Sequence, residues 1–327
     1  TLTSPNTGSR TTHAATTRPK AVQNAPVLTP IPTHVILAKG PIPPLNAQHA
    51  FGPFGPTTSQ TTSKERKSPS SPLPSPSNNP IPLFNSPSFY EIVTPVKIHR
   101  LAYWLADYPS SEYLINGFHN GFSICSSHPP LSSSHQNHAS ARNNSNILKQ
   151  MIDSEKSQNH IAGPFPYHPF EPFVIYPLGL VPKKEPGKFR IIHDLSYSKG
   201  QSVNSFISDD DASVSYLTLD HVVSLVQQMQ AGALIAKVDI ESAFRVIPIS
   251  PKDRHLLGFA INNQFFFDKC LPMGCRSSCS IFERFSSALQ WIAQHKLHIP
   301  AISHILDDFI FVGPANSDVT QKSLDIF

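Results

Sequence analysis

Ala301-Ile302-Ser303-His304-Ile305-Leu306 and Phe309-Ile310-Phe311-Val312-Gly313 flank a pair of acids, Asp307-Asp308. Apolar runs of this length, rich in β-branched and aromatic residues, read as strands, and the acids between them as a tight hairpin turn. Carboxylates set between such runs are costly to bury uncompensated. A hard divalent cation compensates them well, because carboxylate oxygens suit Mg²⁺. Alone, the pair reads as readily as a solvated turn. A third acid weighs against that reading. Asp239 stands near the end of Leu234-Ile235-Ala236-Lys237-Val238-Asp239-Ile240, a run that reads as a buried strand. Phosphoryl transfer with two ions needs carboxylates that bridge metals about 3.5–4 Å apart, and these three acids are the candidates to hold them.

Between the acids, Ser278 to His295 reads as a long helix with Phe282, Phe285, Leu289 and Ile292 on one stripe. It is entered through Leu271-Pro272-Met273-Gly274. Glycine there permits close backbone approach to a ligand, and a helix start favours anions; alone, the stretch is an ordinary loop. Gln264-Phe265-Phe266-Phe267 reads as a strand, and Arg245 to Ile249 as a chain extending away from the Asp239 strand. Leu219 to Met229 reads as a helix with Asp220 at its start. Further upstream, Leu178-Gly179-Leu180-Val181 and Phe189-Arg190-Ile191-Ile192 are joined through Lys183-Lys184-Glu185-Pro186-Gly187-Lys188, the pattern of a β-hairpin. Its cations could close on a triphosphate, Lys as a point charge and Arg as a fork. Exposed hairpins also carry Lys simply to protect their edges.

The first hundred residues differ in kind. Eighteen of the 33 prolines fall at or before Pro95, among Ser, Thr and Asn, so too little apolar surface is available there to offset chain entropy. Residues 1–88 are expected to be disordered, residues 89–160 to form a helical upstream segment, and residues 161–327 the folded remainder. Within the middle segment, Ile98, Leu101, Leu105, Tyr113, Leu114 and Phe118 recur at helical spacing; Ser126 to Asn146 reads as a mobile insert, and a short helix follows it. Residues 1–100 hold nine Lys/Arg against two Asp/Glu, a basic stretch that suits a loose nucleic-acid contact or a solvated linker equally. Cys270, Cys275 and Cys279 are spaced unlike a zinc site, and with Cys125 read as reduced thiols. No apolar run reaches membrane-spanning length and no signal peptide opens the chain. The expectation is an intracellular protein, cytoplasmic or nuclear, neither secreted nor in a membrane.

A cationic hairpin, an Asp-bearing strand, a Pro-x-Gly helix entry and an Asp-Asp hairpin occur here in that order. From about Ile161 to Gly313 the chain resembles the fingers and palm of reverse transcriptases. The runs that carry the likeness are Leu178 to Lys184, Lys188 to Leu195, Lys237 to Arg245, Leu271 to Cys275 through Ile281-Phe282-Glu283, and His304 to Phe309. Pro182-Lys183-Lys184, Ser202-Val203-Asn204 and Met273-Gly274-Cys275 are most similar to DIRS-type retrotransposons, which integrate with a tyrosine recombinase.

The resemblance implies an α+β right-hand polymerase core, here fingers and partial palm, behind a disordered Pro/Ser/Thr-rich tail. It implies RNA-directed DNA synthesis from dNTPs on a primed RNA or DNA template. Asp239, Asp307 and Asp308 would bind two Mg²⁺ ions (Mn²⁺ as the alternative), with the Ile240 carbonyl a further ligand and Asp308 the less essential acid. One ion would lower the pKa of the primer 3′-hydroxyl and the other hold the triphosphate. Lys183 and Arg190 match the cations that grip the phosphates, Phe244 the aromatic that excludes a 2′-hydroxyl, and Met273 with Gly274 the pair lining the nascent base pair. Phe244 is otherwise plain core. Asp194 would brace the fingers, Glu241 and Arg245 would be structural or surface residues, and His304 would pack beside the turn.

Two departures stand out. Ile305 occupies a position where the family often has Tyr, and Met273 one where many relatives have Gln. The resemblance further implies a thumb, RNase H and recombinase beyond Phe327, and a chain that is inactive by itself. It leaves the strand Phe309–Val312 without its later neighbours. A truncated copy that at most binds nucleic acid is the competing reading; a coat-like role for the tail is the third.

Overall fold

A computed structural model describes residues 33–39, 81–82, 89–127, 132–216 and 219–327. Of the expected disordered tail, only two short strands are described, β1 (Thr33–Lys39) and β2 (Ile81–Pro82); the rest of that expectation lies outside the described residues. Helices α1 (Ile98–Trp104) and α2 (Ser111–Asn120) follow, then β3 (Ser133–Ser134), α3 (Ala139–Arg142) and α4 (Ser145–Ser157). A run of strands comes next: β4 (Ile161–Phe165), β5 (Phe170–Glu171), β6 (Val174–Ile175), β7 (Leu178–Pro182) and β8 (Phe189–His193). Then come α5 (Asp209–Ala212), α6 (Leu219–Gln228), β9 (Leu234–Ile240), β10 (Gly258–Ile261) and β11 (Gln264–Asp268). The last elements are α7 (Ser278–His295), β12 (Ile302–Ile305), β13 (Asp308–Gly313) and α8 (Val319–Ile326). The class is α+β, as expected. None of the described helices is long and apolar enough to cross a membrane.

Two sheets organise the chain. The first is antiparallel, in the order β1-β9-β13-β12; the second runs β3-β6-β10-β11-β4. In β9, Ala236, Val238 and Ile240 are buried and the residues between them are not, the alternation of a strand covered on one face. Phe309 and Phe311 of β13 share that covered face. Beneath them lies α7, whose Ile281, Phe282, Phe285, Leu289 and Ile292 form a stripe at helical spacing. Leu114 and Phe118 of α2 join the same core, and Phe118 meets Phe285 edge-on with centroids 5.0 Å apart. The apolar faces thus bury against each other and leave Asp239 and Asp308 on the opposite side of the sheet.

The segment before α1 is tied down by buried cations. Arg254 donates to the carbonyls of Phe89 and Glu91 at 2.9 and 2.7 Å, and Lys269 to the carboxylate of Glu91 at 2.6 Å. Both cations are fully buried, so these acceptors replace the water they have lost.

Two expectations need correction, and two further features complete the picture. The chain after Asp239 does not extend at once; Ala243–Val246 is a turn of 3₁₀ helix, which doubles the backbone back onto α7. Strand β13 lies between β12 and β9, both earlier in the chain. The stretch expected to be a mobile insert is, over residues 132–146, a packed brace. Its Asn137 and Ser140 side chains accept the backbone N–H groups of Leu178 and Leu180 at 2.8 and 3.1 Å, satisfying the edge of β7 that β8 does not pair. Finally, α8 is a helix where none was foreseen; it packs on β13 and β9.

Gly258, the first residue of β10, lies hard against the neighbouring β6. An added Cβ would lie 2.4 Å from the Val174 carbonyl oxygen and 2.3 Å from the Phe173 ring. Gly258→Ala should therefore cost about 1–3 kcal/mol, the usual range for overpacking. Urea unfolding measures this, and an unchanged midpoint at unchanged slope would show that the junction yields freely.

Candidate active site

Strand pairing brings the acids together. Asp308 lies directly opposite Asp239 across the β13–β9 ladder. Strands β12 and β13 close with Ile305 opposite Asp308, which leaves Leu306-Asp307 as a two-residue turn. Leu306 takes φ +54°, the positive value that such short hairpin turns demand of a central residue. The turn is tied back to β9 because the N–H of Ile240 donates to the Asp307 carbonyl at 3.1 Å. As a result one oxygen from each of Asp239, Asp307 and Asp308 lies within 4.8 Å of the others. Among the described residues, no other group of three His, Cys, Asp or Glu could hold a metal.

The electrostatics match the crowding. Burial, a hydrogen bond with Asp308 and the neighbouring negative charges push the Asp239 carboxyl above its usual range. Burial and the charge of Asp308 do the same to Asp307. Lys237, two residues before Asp239 and so on the same face of β9, sets its Nζ 2.7 Å from Asp308. That contact holds the lysine above its usual value. One ammonium offsets one of the three charges, so hard oxygen donors remain in excess, as a divalent cation requires.

The other expected residues are distributed around this point. Phe244 stands on the 3₁₀ turn after β9, half-buried, with its ring meeting Phe282 edge-on at 5.4 Å. Met273 is half-exposed, and Gly274 has φ +122°. A Cβ on Gly274 would come 2.4 Å from the His193 carbonyl, so the close approach expected of a glycine is made to β8. Lys183, just past the end of β7, and Arg190 of β8, opposite Val181, are both exposed near the tip of the hairpin, and no ion pair or hydrogen bond found among the described residues joins either to the aspartates. Asp194 braces the hairpin base through His138 Nε2 at 2.9 Å. His304 is buried, stacked on Phe309 and hydrogen-bonded to Gln290 and Glu283, which fits packing beside the turn.

Sequence reasoning overlooked one participant and left the partners of another unnamed. Lys237 was findable, since a period of two puts it beside Asp239. Arg245, expected to be structural or surface, is structural: it forms ion pairs with Asp268 and Glu155 at 2.6 and 2.9 Å. Its partners are remote in sequence, and no local pattern announces them.

With the geometry in place, comparison with known proteins is informative. Residues 181–327 match the profile of the family described as Reverse transcriptase (RNA-dependent DNA polymerase). The genome polyproteins of Petunia vein clearing virus, isolates Shepherd and Hohn, are each 28% identical over 98 residues. That alignment takes in 30% of this chain and 4% of theirs. Among solved structures, prototype foamy virus protease–reverse transcriptase is similar at TM-score 0.46 and 18% identity, over 62% of this chain and 24% of that one. The foamy viral protease–reverse transcriptase in complex with dsDNA gives TM-score 0.43 and 17% identity, over 72% and 49%.

The crowding has a measurable sign. Carboxyls whose folded values are raised favour the fold while protonated. That contribution is complete below their ordinary value of 3.8 and is lost as pH rises through the raised values. At pH 7 without metal, the ionised triad therefore weighs against folding. Asp307→Asn should raise the melting temperature in chelator at pH 7, narrow that gain toward pH 4, and remove the further rise that Mg²⁺ gives the parent. Thermal melts under the three conditions test this. A variant less stable than the parent at pH 7 in chelator would contradict it.

Proposed function

We propose that this chain is the polymerase part of a retroelement and performs RNA-directed DNA synthesis. In that role it is a nucleotidyltransferase that joins a dNTP to a primer 3′-hydroxyl on an RNA or DNA template. The observation that carries the reading is the convergence of Asp239, Asp307 and Asp308 at one end of β9 and β13, inside the stretch matching the reverse transcriptase family. Because the chain spans 4% of its curated relatives, the activity of a whole polyprotein is part of the proposal.

Asp239 and Asp307 are the principal ligands for two Mg²⁺ ions, with Asp308 and the Ile240 carbonyl as the others; Mn²⁺ suits the same oxygens. Bound there, the ions supply charge that acidifies the primer hydroxyl and stabilises the leaving pyrophosphate. Lys237 serves as the resident counter-charge of Asp308. Lys183 and Arg190 grip the triphosphate, the guanidinium through paired hydrogen bonds that an ammonium cannot make. Phe244 is held by Phe282, so its ring can stand firm beneath the sugar and reject a 2′-hydroxyl. Met273 packs against the nascent pair and Gly274 gives the template close approach.

A DIRS-type origin is supported by the motif wording, and two of the motifs meet in the fold. The Asn204 side chain donates to the Gly274 carbonyl at 2.7 Å and accepts from the Arg276 N–H at 2.8 Å, joining Ser202-Val203-Asn204 to Met273-Gly274-Cys275. Thumb, RNase H and recombinase segments, an intracellular site of action and the division at residues 88 and 160 belong to the same proposal.

Two substitutions test it in the chain extended after Phe327 by the thumb of a relative. Asp239→Asn should abolish Mg²⁺-dependent primer extension, since an amide brings no charge to the metals. Extension within tenfold of the parent would remove the metal assignment. Phe244→Ala should admit ribonucleotides by raising their kcat/KM while leaving that for deoxyribonucleotides little changed. An unchanged ratio of the two would mean that the ring is only core.

A further inference from the structure

Arg245 lies one residue beyond Phe244, and its guanidinium pairs with acids outside the triad. Its Nη1 donates to Asp268 Oδ1 at 2.6 Å and to the Cys270 carbonyl at 3.3 Å; its Nε faces Glu155 of α4 at 2.9 Å. Asp268, the last residue of β11, is almost fully buried and accepts a second bond, from His193 Nδ1, at 2.9 Å. His193 is the last residue of β8, and its carbonyl is the surface against which Gly274 is packed. Burial works against the charge of Asp268, but Arg245 and His193 more than offset it and keep the carboxyl below its usual range. One buried carboxylate thus joins three elements: the 3₁₀ turn bearing Phe244, the cationic hairpin, and the loop from Cys270 to Gly274.

Such a chain is a poor device for stability alone. Desolvation of a buried ion pair roughly cancels its attraction, and apolar replacements of similar volume are often neutral or stabilising. What charged forks provide is fixed geometry. We propose that Arg245–Asp268–His193 is a positioning clamp that holds Phe244, the hairpin cations and Gly274 in one fixed arrangement. The clamp sets how well the nucleotide is gripped and does not set how metal binds. The inference rests on the polymerase reading for what those elements face, but not for the clamp itself.

The test uses the full chain and two readouts. Amide hydrogen exchange is followed by mass spectrometry over residues 178–193 and 242–247, with α7 as internal reference. Binding of Mn²⁺ alone, and of dTTP in the presence of Mn²⁺, is measured by titration. For Arg245→Met, which keeps length and loses charge, exchange in both segments should accelerate at least tenfold while α7 is unchanged. The dTTP Kd should rise at least tenfold and the Mn²⁺ Kd stay within twofold. Arg245→Lys, which keeps charge and loses the fork, should restore part of the protection. Should Arg245→Met fail to fold, Asp268→Asn is read the same way. Acceleration spread equally over α7, or none in the two segments, would overturn the clamp and leave Arg245 an ordinary buried ion pair. If the parent binds Mn²⁺ but no dTTP, the polymerase reading fails, while the exchange pattern still decides the clamp.

Discussion

Three carboxylates cannot sit together without something holding them there. Like charges about 4 Å apart repel by a few kcal/mol at the effective dielectric of a protein surface, a large share of the roughly 5–15 kcal/mol that stabilises a typical domain. The covered face of the first sheet supplies the opposing force. Ala236, Val238 and Ile240 of β9 and Phe309 and Phe311 of β13 bury against α7, and the period of two then obliges Asp239 and Asp308 to face the other way. The hairpin turn adds Asp307, and Lys237 offsets part of the charge. The acids converge because the core behind them leaves no alternative register: a slip of one residue would turn every buried side chain outward.

The remaining elements serve this centre at increasing distance. Phe244 is set by Phe282 of the same helix that supports the sheet. Gly274 is set by β8, and β8 in turn by the ion pairs that reach Arg245. The edge of β7 is closed by Asn137 and Ser140, side chains from a stretch whose composition suggests a linker. Polar residues of this kind do not pack a core, yet they satisfy backbone groups that would otherwise lie unpaired.

How much of this was legible in the sequence follows from the range of each interaction. The stripe of α7 is a local periodicity and read correctly, and β9 read correctly as a strand, though only one of its faces is buried. The Asp239–Asp308 pairing was inferred from motif order, which encodes topology indirectly. Arg245, Asp268 and Glu155 lie far apart in the chain, so nothing local distinguishes them from surface charge. The 3₁₀ turn at Ala243–Val246 was missed because Val246 to Ile249 has strand-like composition, and tertiary packing on α7 overrides it.

The central claim is that the triad exists to hold divalent metal. Crystals of the chain grown with Mn²⁺, with anomalous scattering recorded at the manganese edge, test it most directly. The account predicts two anomalous peaks, each within ordinary coordination distance of carboxylate oxygens from Asp239, Asp307 or Asp308, and Lys237 withdrawn from Asp308. Manganese bound elsewhere, or a triad that keeps its lysine and takes up no ion at millimolar Mn²⁺, would contradict it.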